Sequence, residues 1–410
     1  MISYTIKLYK DAYHGLSRNS WYLSLVMLVN RSGTMVVPFM TIYCTQQLHF
    51  SIIQAGIIMA LFGAGALTGA FIGGKITDKY GFYDVQVGAL LSGGLLFMLL
   101  GLQQSFAGIC IVTFILSLCN DSFRPANSTA IAHYSTDASR TRSYSLNRLA
   151  VNLGWACGGA LGGFLASVNY HLLFWVDGCT NILSAVLLLI LMPRSVYKKP
   201  VAIKTHEPQQ VQSPYRDGEY LTFIALTALF GACFFQLFTM QPVFYKSQWH
   251  LNEQFIGFLM ALNGVLIIIV EMILVQRLEG RRPALNYISA GVLVSGIGFA
   301  ILNTMPPGIW TALFVVLLIT LGEILSMPFM NAFWIARTTN NNRGGYAALY
   351  SMAWSIAQII APALGSQLIL HGGYDLLWWV LGGTCLVTSV GFIWLYKFRN
   401  QTPLAGKLAN

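Results

Sequence analysis

The stretch 284–335 reads ALNYISAGVLVSGIGFAILNTMPPGIWTALFVVLLITLGEILSMPFMNAFWI. It holds two long apolar runs, 284–304 and 309–335, joined only by the short turn Thr304 to Gly308. About 20 apolar residues suffice for a helix to cross a bilayer. The stretch therefore reads as two successive transmembrane spans. Further runs lie at 20–44, 52–72, 84–104, 107–133, 145–168, 171–193, 219–245, 253–276, 346–370 and 373–397, which makes twelve. Spans 3 and 4 are joined as tightly as spans 9 and 10, by Gln104, Ser105 and Phe106. Composition agrees: 56% of the 410 residues are hydrophobic and only 9% are charged. A soluble domain carries roughly 25% charged residues, and a fold with far fewer cannot cover its surface.

Charge placement sets the expected orientation. Lys and Arg concentrate in cytoplasmic loops. With the N-terminus inside, twenty of the 24 basic residues fall on cytoplasmic segments, and the outer loops keep only Lys246. Arg31, Arg124 and Arg148 lie within apolar runs. The formal net charge of +10 is thus accounted for at the membrane surface without nucleic acid. The polar, basic first 19 residues are expected to be an uncleaved cytoplasmic segment, since the apolar run behind them is too long for a signal core. The longest polar stretch, 194–218, reads RSVYKKPVAIKTHEPQQVQSPYRDG and splits the chain almost in half. The expected organisation is an N-terminal six-helix bundle over 1–193, a cytoplasmic linker over 194–218 and a C-terminal six-helix bundle over 219–410.

The halves echo one another. DSFRPANSTAIA (121–132) and EILSMPFMNAFWIA (323–336) both run acid, proline, asparagine, Ile-Ala. YSLNRLAVNLGWACGGALGG (144–163) and YSMAWSIAQIIAPALGS (350–366) share Tyr-Ser and Ala-Leu-Gly. The spacing is about half the chain, as duplication of a six-span unit would leave it.

The loop between spans 2 and 3, GGKITDKYG (73–81), resembles the loop signature of the major facilitator superfamily. Gly74, Asp78, Lys79 and Gly81 fit it, while Phe82 and Tyr83 stand where the family has a basic pair. A shorter echo, RLEGRR (277–282), occupies the matching place in the second half. The resemblance implies an all-α membrane fold, two pseudo-symmetric six-helix bundles around a central cavity, working by alternating access. Gly74 is expected to permit close helix approach, and Asp78 to face a helix N-terminus, so that the motif gates the conformational change. GWACGGALGG (154–163) resembles the signature of the family's antiporter branches: Gly154, Gly158, Gly162 and Gly163 fit, and Gly159 replaces its proline. These glycines are expected to serve helix packing. Gly69, Gly74 and Lys75 imitate a phosphate loop, but Ile76 replaces the required hydroxyl residue and no strand precedes it, so ATP binding is excluded.

Seven charged residues lie in the apolar runs beyond the three terminal positions at either end: Arg31, Asp121, Arg124, Arg148, Asp177, Glu271 and Glu323. Their cost in lipid makes each a functional candidate. Asp121 and Arg124 share a helix face. Arg124 also resembles the span-4 arginine of proton-coupled members of the family. Glu271 and Glu323 have no basic residue within the spans of their half. A carboxylate without a cation nearby binds a proton more readily, as a proton carrier must. Glu323 is therefore the expected carrier, with Glu271 or Asp121 second. Arg31, Arg124, Asn127, Asn263 and Asn331 are expected to line the substrate cavity. Arg148 and Asp177, nearer span ends, are expected to be paired structurally or to reach for the interface.

The expected function is secondary active transport, with no cofactor and no metal: none of the seven cysteines forms a CxxC pair. The partners are a small-molecule substrate, protons (with sodium the alternative ion) and membrane lipid, and the working unit is a monomer. The residues favour proton-coupled efflux of an amphipathic, drug-like compound. The alternative is proton-coupled import of a sugar, amino acid or peptide, which Arg31 and Arg124 would suit. An embedded enzyme is disfavoured because no HExxH, GxSxG or paired histidines occur in the spans. A receptor or scaffold would not need buried charges in both halves.

Overall fold

The structure, a computed structural model, describes residues 15–136, 139–194, 214–278, 280–337 and 343–401. Every element among them is a helix: α1 (Arg18–Ser32), α2 (Val36–Ile42), α3 (Ile52–Tyr80), α4 (Phe82–Gly101), α5 (Phe106–Asp121), α6 (Phe123–Tyr134), α7 (Arg140–Val168), α8 (His171–Leu191), α9 (Gly218–Phe234), α10 (Gln236–Thr239), α11 (Gln241–Ser247), α12 (Glu253–Leu278), α13 (Ala284–Thr304), α14 (Ile309–Ala336) and α15 (Arg343–Gln401). A π-helical turn, Tyr43–Gln47, extends α2, and a single 3-10 turn, Pro214–Arg216, leads into α9.

Among the described residues, eleven helical segments are long and apolar enough to cross a membrane. The last, Tyr346–Lys397, has 52 residues, or about 78 Å at 1.5 Å per residue. That is more than twice the roughly 30 Å of a hydrocarbon core. It leaves helical geometry at Gly372 (φ −151°, ψ 16°) and Gly373 (φ 69°, ψ −172°). Two passes meet there, where the sequence separates spans 11 and 12, and the twelve spans are complete. Most of the linker expected over 194–218 lies outside the described residues.

Three spans are broken. The first is α1, a gap over Gly33–Met35, then α2; the fourth is α5 and α6 around Ser122; the seventh is α9, α10 and α11. Hydrocarbon offers no partner for a freed backbone N–H, so each break has to be satisfied from within. In span 1 the side chain of Asp177, on α8, does this. Its carboxylate accepts from Met35 N (3.0 and 3.2 Å) and Val36 N (2.9 Å). Asn181, one turn along α8, accepts from Asn30 Nδ2 at 2.9 Å. Asp177 is fully buried, so it does not reach for the interface; its partners are backbone amides at a helix start, a position the dipole favours for a carboxylate. In span 4, Ser122 Oγ donates to Gly69 O and Leu118 O (3.0 and 2.9 Å). In span 7, Gln236 Nε2 donates to Ala361 O of α15 at 2.6 Å, which ties the break to that helix.

Small residues set the helix spacing. Gly65, Gly69 and Gly73 form one stripe on α3 against Phe114, Leu118 and Ser122. A Cβ at Gly69 would lie 2.2 Å from Leu118 O, and one at Gly73 would lie 2.5 Å from Ser122 Cα. This corrects the expectation for Gly74: among the described residues nothing lies within 4 Å of a Cβ built there. The reason is helical phase, since Gly74 is 100° around the helix from the stripe. Gly81, with φ 92°, separates α3 from α4 in a conformation that L side chains rarely adopt.

By its internal packing the chain divides into two compact units. One comprises Met1–Phe50, Leu61–Val201 and Asn252–Ile268; the other comprises Ser51–Ala60, Ala202–Leu251 and Ile269–Asn410. In the first, α4 packs on α5 and α8, and α1 on α7 and α8. In the second, α13 packs on α14 and α15, and α9 on α15.

Replacing Gly69 by Val should overpack the α3–α5 contact at about 1–3 kcal/mol and lower the unfolding midpoint in detergent. Gly74→Ala should leave that midpoint unchanged or slightly raised. Differential scanning fluorimetry of the two purified variants checks the contrast.

Candidate functional site

In the first unit, α5 ends at Asp121, which is 4% exposed. Arg124, one turn later on α6, places Nε 2.6 Å from Asp121 Oδ1. Ser117 Oγ donates to Asp121 Oδ2 at 3.3 Å and to Phe62 O at 2.6 Å. Arg31, in the last turn of α1, interacts electrostatically with both Asp121 and Arg124. Its Nε is buried and makes no hydrogen bond. The structure thus brings three of the span-embedded charges into one group. Arg124 is 56% exposed and Asp121 is 5% exposed in their side chains. The carboxylate is enclosed while its partner stays accessible, so the pair can open without moving Asp121.

Span 5 carries its glycines on two faces. Gly154, Gly158 and Gly162 meet span 1 around its break: a Cβ at Gly154 would lie 2.5 Å from Arg31 Cβ, and one at Gly162 would lie 3.1 Å from Met35 Cβ. Gly159 and Gly163 meet α12: a Cβ at Gly163 would lie 2.7 Å from Gly257 Cα, and one at Gly159 would lie 2.9 Å from Met260 Cβ. The glycine that replaces the signature proline therefore sits in a close helix contact.

The polar candidates separate. Asn127 accepts from Gln86 Nε2 (3.2 Å) and donates to Asn147 Oδ1 (3.3 Å), a buried chain of amides within the first unit. Asn331, in the second unit, accepts from Trp334 Nε1 (3.2 Å) and donates to Met327 O (3.2 Å). Asn263, Glu271 and Glu323 are each half-buried, whereas Arg148 is exposed. On α14 the exposed residues Phe314, Leu317, Leu321 and Ile335 make one apolar stripe. Glu323 lies about 160° around the helix from Leu321; Met327, Asn331 and Trp334 follow it at helical spacing along the flank of the stripe, all half-buried. Exposed aliphatic residues suit lipid, so Glu323 points away from it. In the loop motif Asp78 and Lys79 are exposed, with the Lys79 ammonium 5.0 Å from the Tyr80 ring centre.

The sequence reading missed a charge cluster in the second unit. Asp217 caps α9, accepting from Tyr220 N at 3.0 Å. The same carboxylate receives Arg337 Nη2 (3.0 Å to each oxygen), Arg337 Nε (3.2 Å) and Tyr346 Oη (3.0 Å). Arg337 Nη1 also lies 2.7 Å from Glu219 Oε1. Burial works against the Arg337 cation, but Asp217 and Glu219 outweigh it and hold its pKa above the ordinary guanidinium value. The corresponding corner of the first unit uses hydroxyls: Ser17 caps α1 through Ser20 N (3.1 Å) and donates to Tyr134 O (2.8 Å). Ser17 and Asp217 stand 200 residues apart, near the repeat spacing. The Asp-cap signature ahead of an apolar run was the available signal. A second missed contact is Tyr170 Oη donating to Glu253 Oε1 at 2.7 Å. Burial and then this bond push the Tyr170 phenol up, which keeps it a donor.

Comparison with known proteins places this arrangement. The sequence profile of the Major Facilitator Superfamily matches residues 23–339. The Na(+), Li(+), K(+)/H(+) antiporter of Planococcus maritimus is 22% identical, over 92% of this chain and 95% of that protein. Multidrug resistance protein 2 of Bacillus subtilis (strain 168) is 22% identical, over 90% of this chain and 93% of that one. The crystal structure of a POT family transporter in complex with 5-aminolevulinic acid shares the fold, with a TM-score of 0.79 at 15% identity, covering 95% of this chain and 98% of that one. The chain belongs to the Major Facilitator Superfamily: it is a multi-pass integral membrane transporter and not an enzyme.

Arg337→Ala leaves Asp217 and Glu219 facing each other without their cation. It should cost roughly 3 kcal/mol, the lower end for removing one partner of a buried pair. Arg337→Lys keeps the charge but loses the two-pronged contact and should fall between. Thermal unfolding of both variants in detergent measures this. Asp177→Ala removes the cap of α2 and should cost about 2 kcal/mol, with Asp177→Asn costing less because one acceptor oxygen remains.

Proposed function

We propose that the protein exports a small amphipathic compound in exchange for protons, by alternating access. The observation that carries this reading is the division of charge within the spans. In the first unit a buried carboxylate, Asp121, is matched by Arg124 with Arg31 beside it. Away from the ends of its spans, the second unit holds Glu271 and Glu323 and no Lys or Arg. Acids in such positions are the usual sites of proton uptake in membrane carriers. Glu323, half-buried on the face of α14 turned from the apolar stripe, is the proposed carrier, with Glu271 and Asp121 supporting. Protonation of Asp121 would remove the charge that holds Arg124 and free that side chain to move.

The names of the relatives, a multidrug resistance protein and a cation/proton antiporter, agree with the reading. The termini are proposed to be cytoplasmic, in a plasma or bacterial inner membrane, with the monomer as the working unit. Gly74, Asp78, Lys79 and Gly81 are proposed to gate the cycle, and Arg31, Arg124, Asn127, Asn263 and Asn331 to line the path. One observation favours a second reading. The buried, unpartnered Nε of Arg31 suits a substrate carboxylate, as proton-coupled import of an amino acid or peptide would need.

Purified protein in liposomes under an imposed pH gradient, read by an internal pH dye, tests this. Amphipathic cations should dissipate the gradient, and Glu323→Gln should abolish the effect. Dissipation by amino acids or peptides, and not by the cations, would establish the second reading instead. Proton-coupled flux unchanged in Glu323→Gln would remove that residue as the carrier.

A further inference from the structure

Of the three charges grouped in the first unit, two hold each other and one is left over. Arg124 Nε lies 2.6 Å from Asp121 Oδ1. Arg31 has these two residues as its charged neighbours. Among the described residues, no protein group accepts a hydrogen bond from its guanidinium. Nε of Arg31 is shut away, while the two Nη atoms stay accessible in a half-buried side chain. Arg124 commits Nε to Asp121, and its own Nη atoms have no acceptor among the described residues, in a side chain that is 56% exposed.

Packing fixes Arg31 where it is. Gly154 of span 5 lies so close that a Cβ there would stand 2.5 Å from Arg31 Cβ. Asn30, the residue before it, is buried and bonded to Asn181. The other buried carboxylate that meets span 1, Asp177, is already committed: one oxygen accepts from Met35 N and the other from Val36 N. It is not among the charged neighbours of Arg31.

Charge counting leaves a surplus. Two guanidinium groups face one carboxylate, a net of one positive charge. The C-terminal end of α1, on which Arg31 stands, offsets about half a unit charge at most. A cation held in a span with neither acceptor nor counter-charge is costly. A guanidinium cannot escape that cost by giving up its proton.

The surplus selects the ligand. One negative charge balances it, whereas a dianion would overbalance the group and repel Asp121. Guanidinium is weakly hydrated, so its best partners are anions that release water readily, bromide and chloride before fluoride. The close seat of span 5 on Arg31 suits an ion of atomic size better than a carboxylate carried on a larger molecule.

We propose that Arg31, together with the open side of Arg124, forms a binding site for a small monovalent inorganic anion of the chloride class, the counter-ion of the Arg31, Asp121 and Arg124 group. The site does not depend on the direction of transport or on the compound carried.

Thermal unfolding of the purified full chain, exchanged into gluconate and titrated with chloride or bromide at constant ionic strength, tests it. The midpoint should rise and saturate, with bromide at least as effective as chloride. Arg31→Gln should weaken halide binding at least about tenfold. Asp121→Asn removes the competing negative charge and should tighten it about fivefold. Loss of folding cannot imitate a tightening, so this variant carries the test if Arg31→Gln does not fold. No halide response, a midpoint that climbs without saturating, or an equal response in Arg31→Gln would overturn the site. Halide binding unchanged or weakened in Asp121→Asn would do the same. Acetate binding through Arg31 more tightly than chloride would overturn the inorganic ligand and give the site to a substrate carboxylate.

Discussion

A backbone amide in hydrocarbon has no water to bond, so the chain must satisfy it. The broken spans follow from that constraint. Span 1 can be interrupted at Gly33–Met35 only because a carboxylate from another helix, Asp177, receives the two amides that begin α2. Asn181, one turn away on α8, accepts from Asn30 and ties the other half of the same span, α1. At the breaks of spans 4 and 7 neutral side chains, Ser122 and Gln236, donate to backbone carbonyls and tie each break to a neighbouring helix. Arg31 stands two residues before one break, Arg124 two residues after another, and Phe234 and Phe235 at the third.

Close packing in lipid depends on small residues, because apolar side chains gain little there by leaving lipid for one another. The glycine stripes of α3 and α7 supply it, with backbone carbonyls taking the place of side chains at the contacts. Span 5 uses two faces of one helix, one against the broken span 1 and one against α12. The antiporter-like run of glycines is therefore a packing device by construction. Any part it has in transport acts through helix contacts and not through chemistry.

The two units solve the same corner differently. Ser17 and Asp217 each cap the first helix of a repeat and reach the end of its fourth span. In the first unit the corner is built from neutral hydroxyls; in the second it is an ion-paired knot around Arg337. Inside the spans the order is reversed, with the arginines in the first unit and the acids Glu271 and Glu323 in the second. The two corners are alike in geometry and differ in charge.

Hydropathy alone fixed the number, length and order of the spans, because lipid imposes one period and one length on every crossing helix. Charge in the loops and the motif around Asp78 pointed to the family, and the cost of ionised groups in lipid singled out Asp121, Arg124 and Arg31. Partners were not legible. Nothing in the sequence says that Asp177 bonds the amides of Met35 and Val36, some 140 residues away, or that Gly73 and not Gly74 meets Ser122. Those facts depend on which faces of two helices meet, and a rotation of 100° per residue makes neighbouring positions point apart. The contact between the rings of Phe234 and Trp354 was hidden for the same reason: both are ordinary apolar residues, in separate runs. Only tertiary packing brought them together.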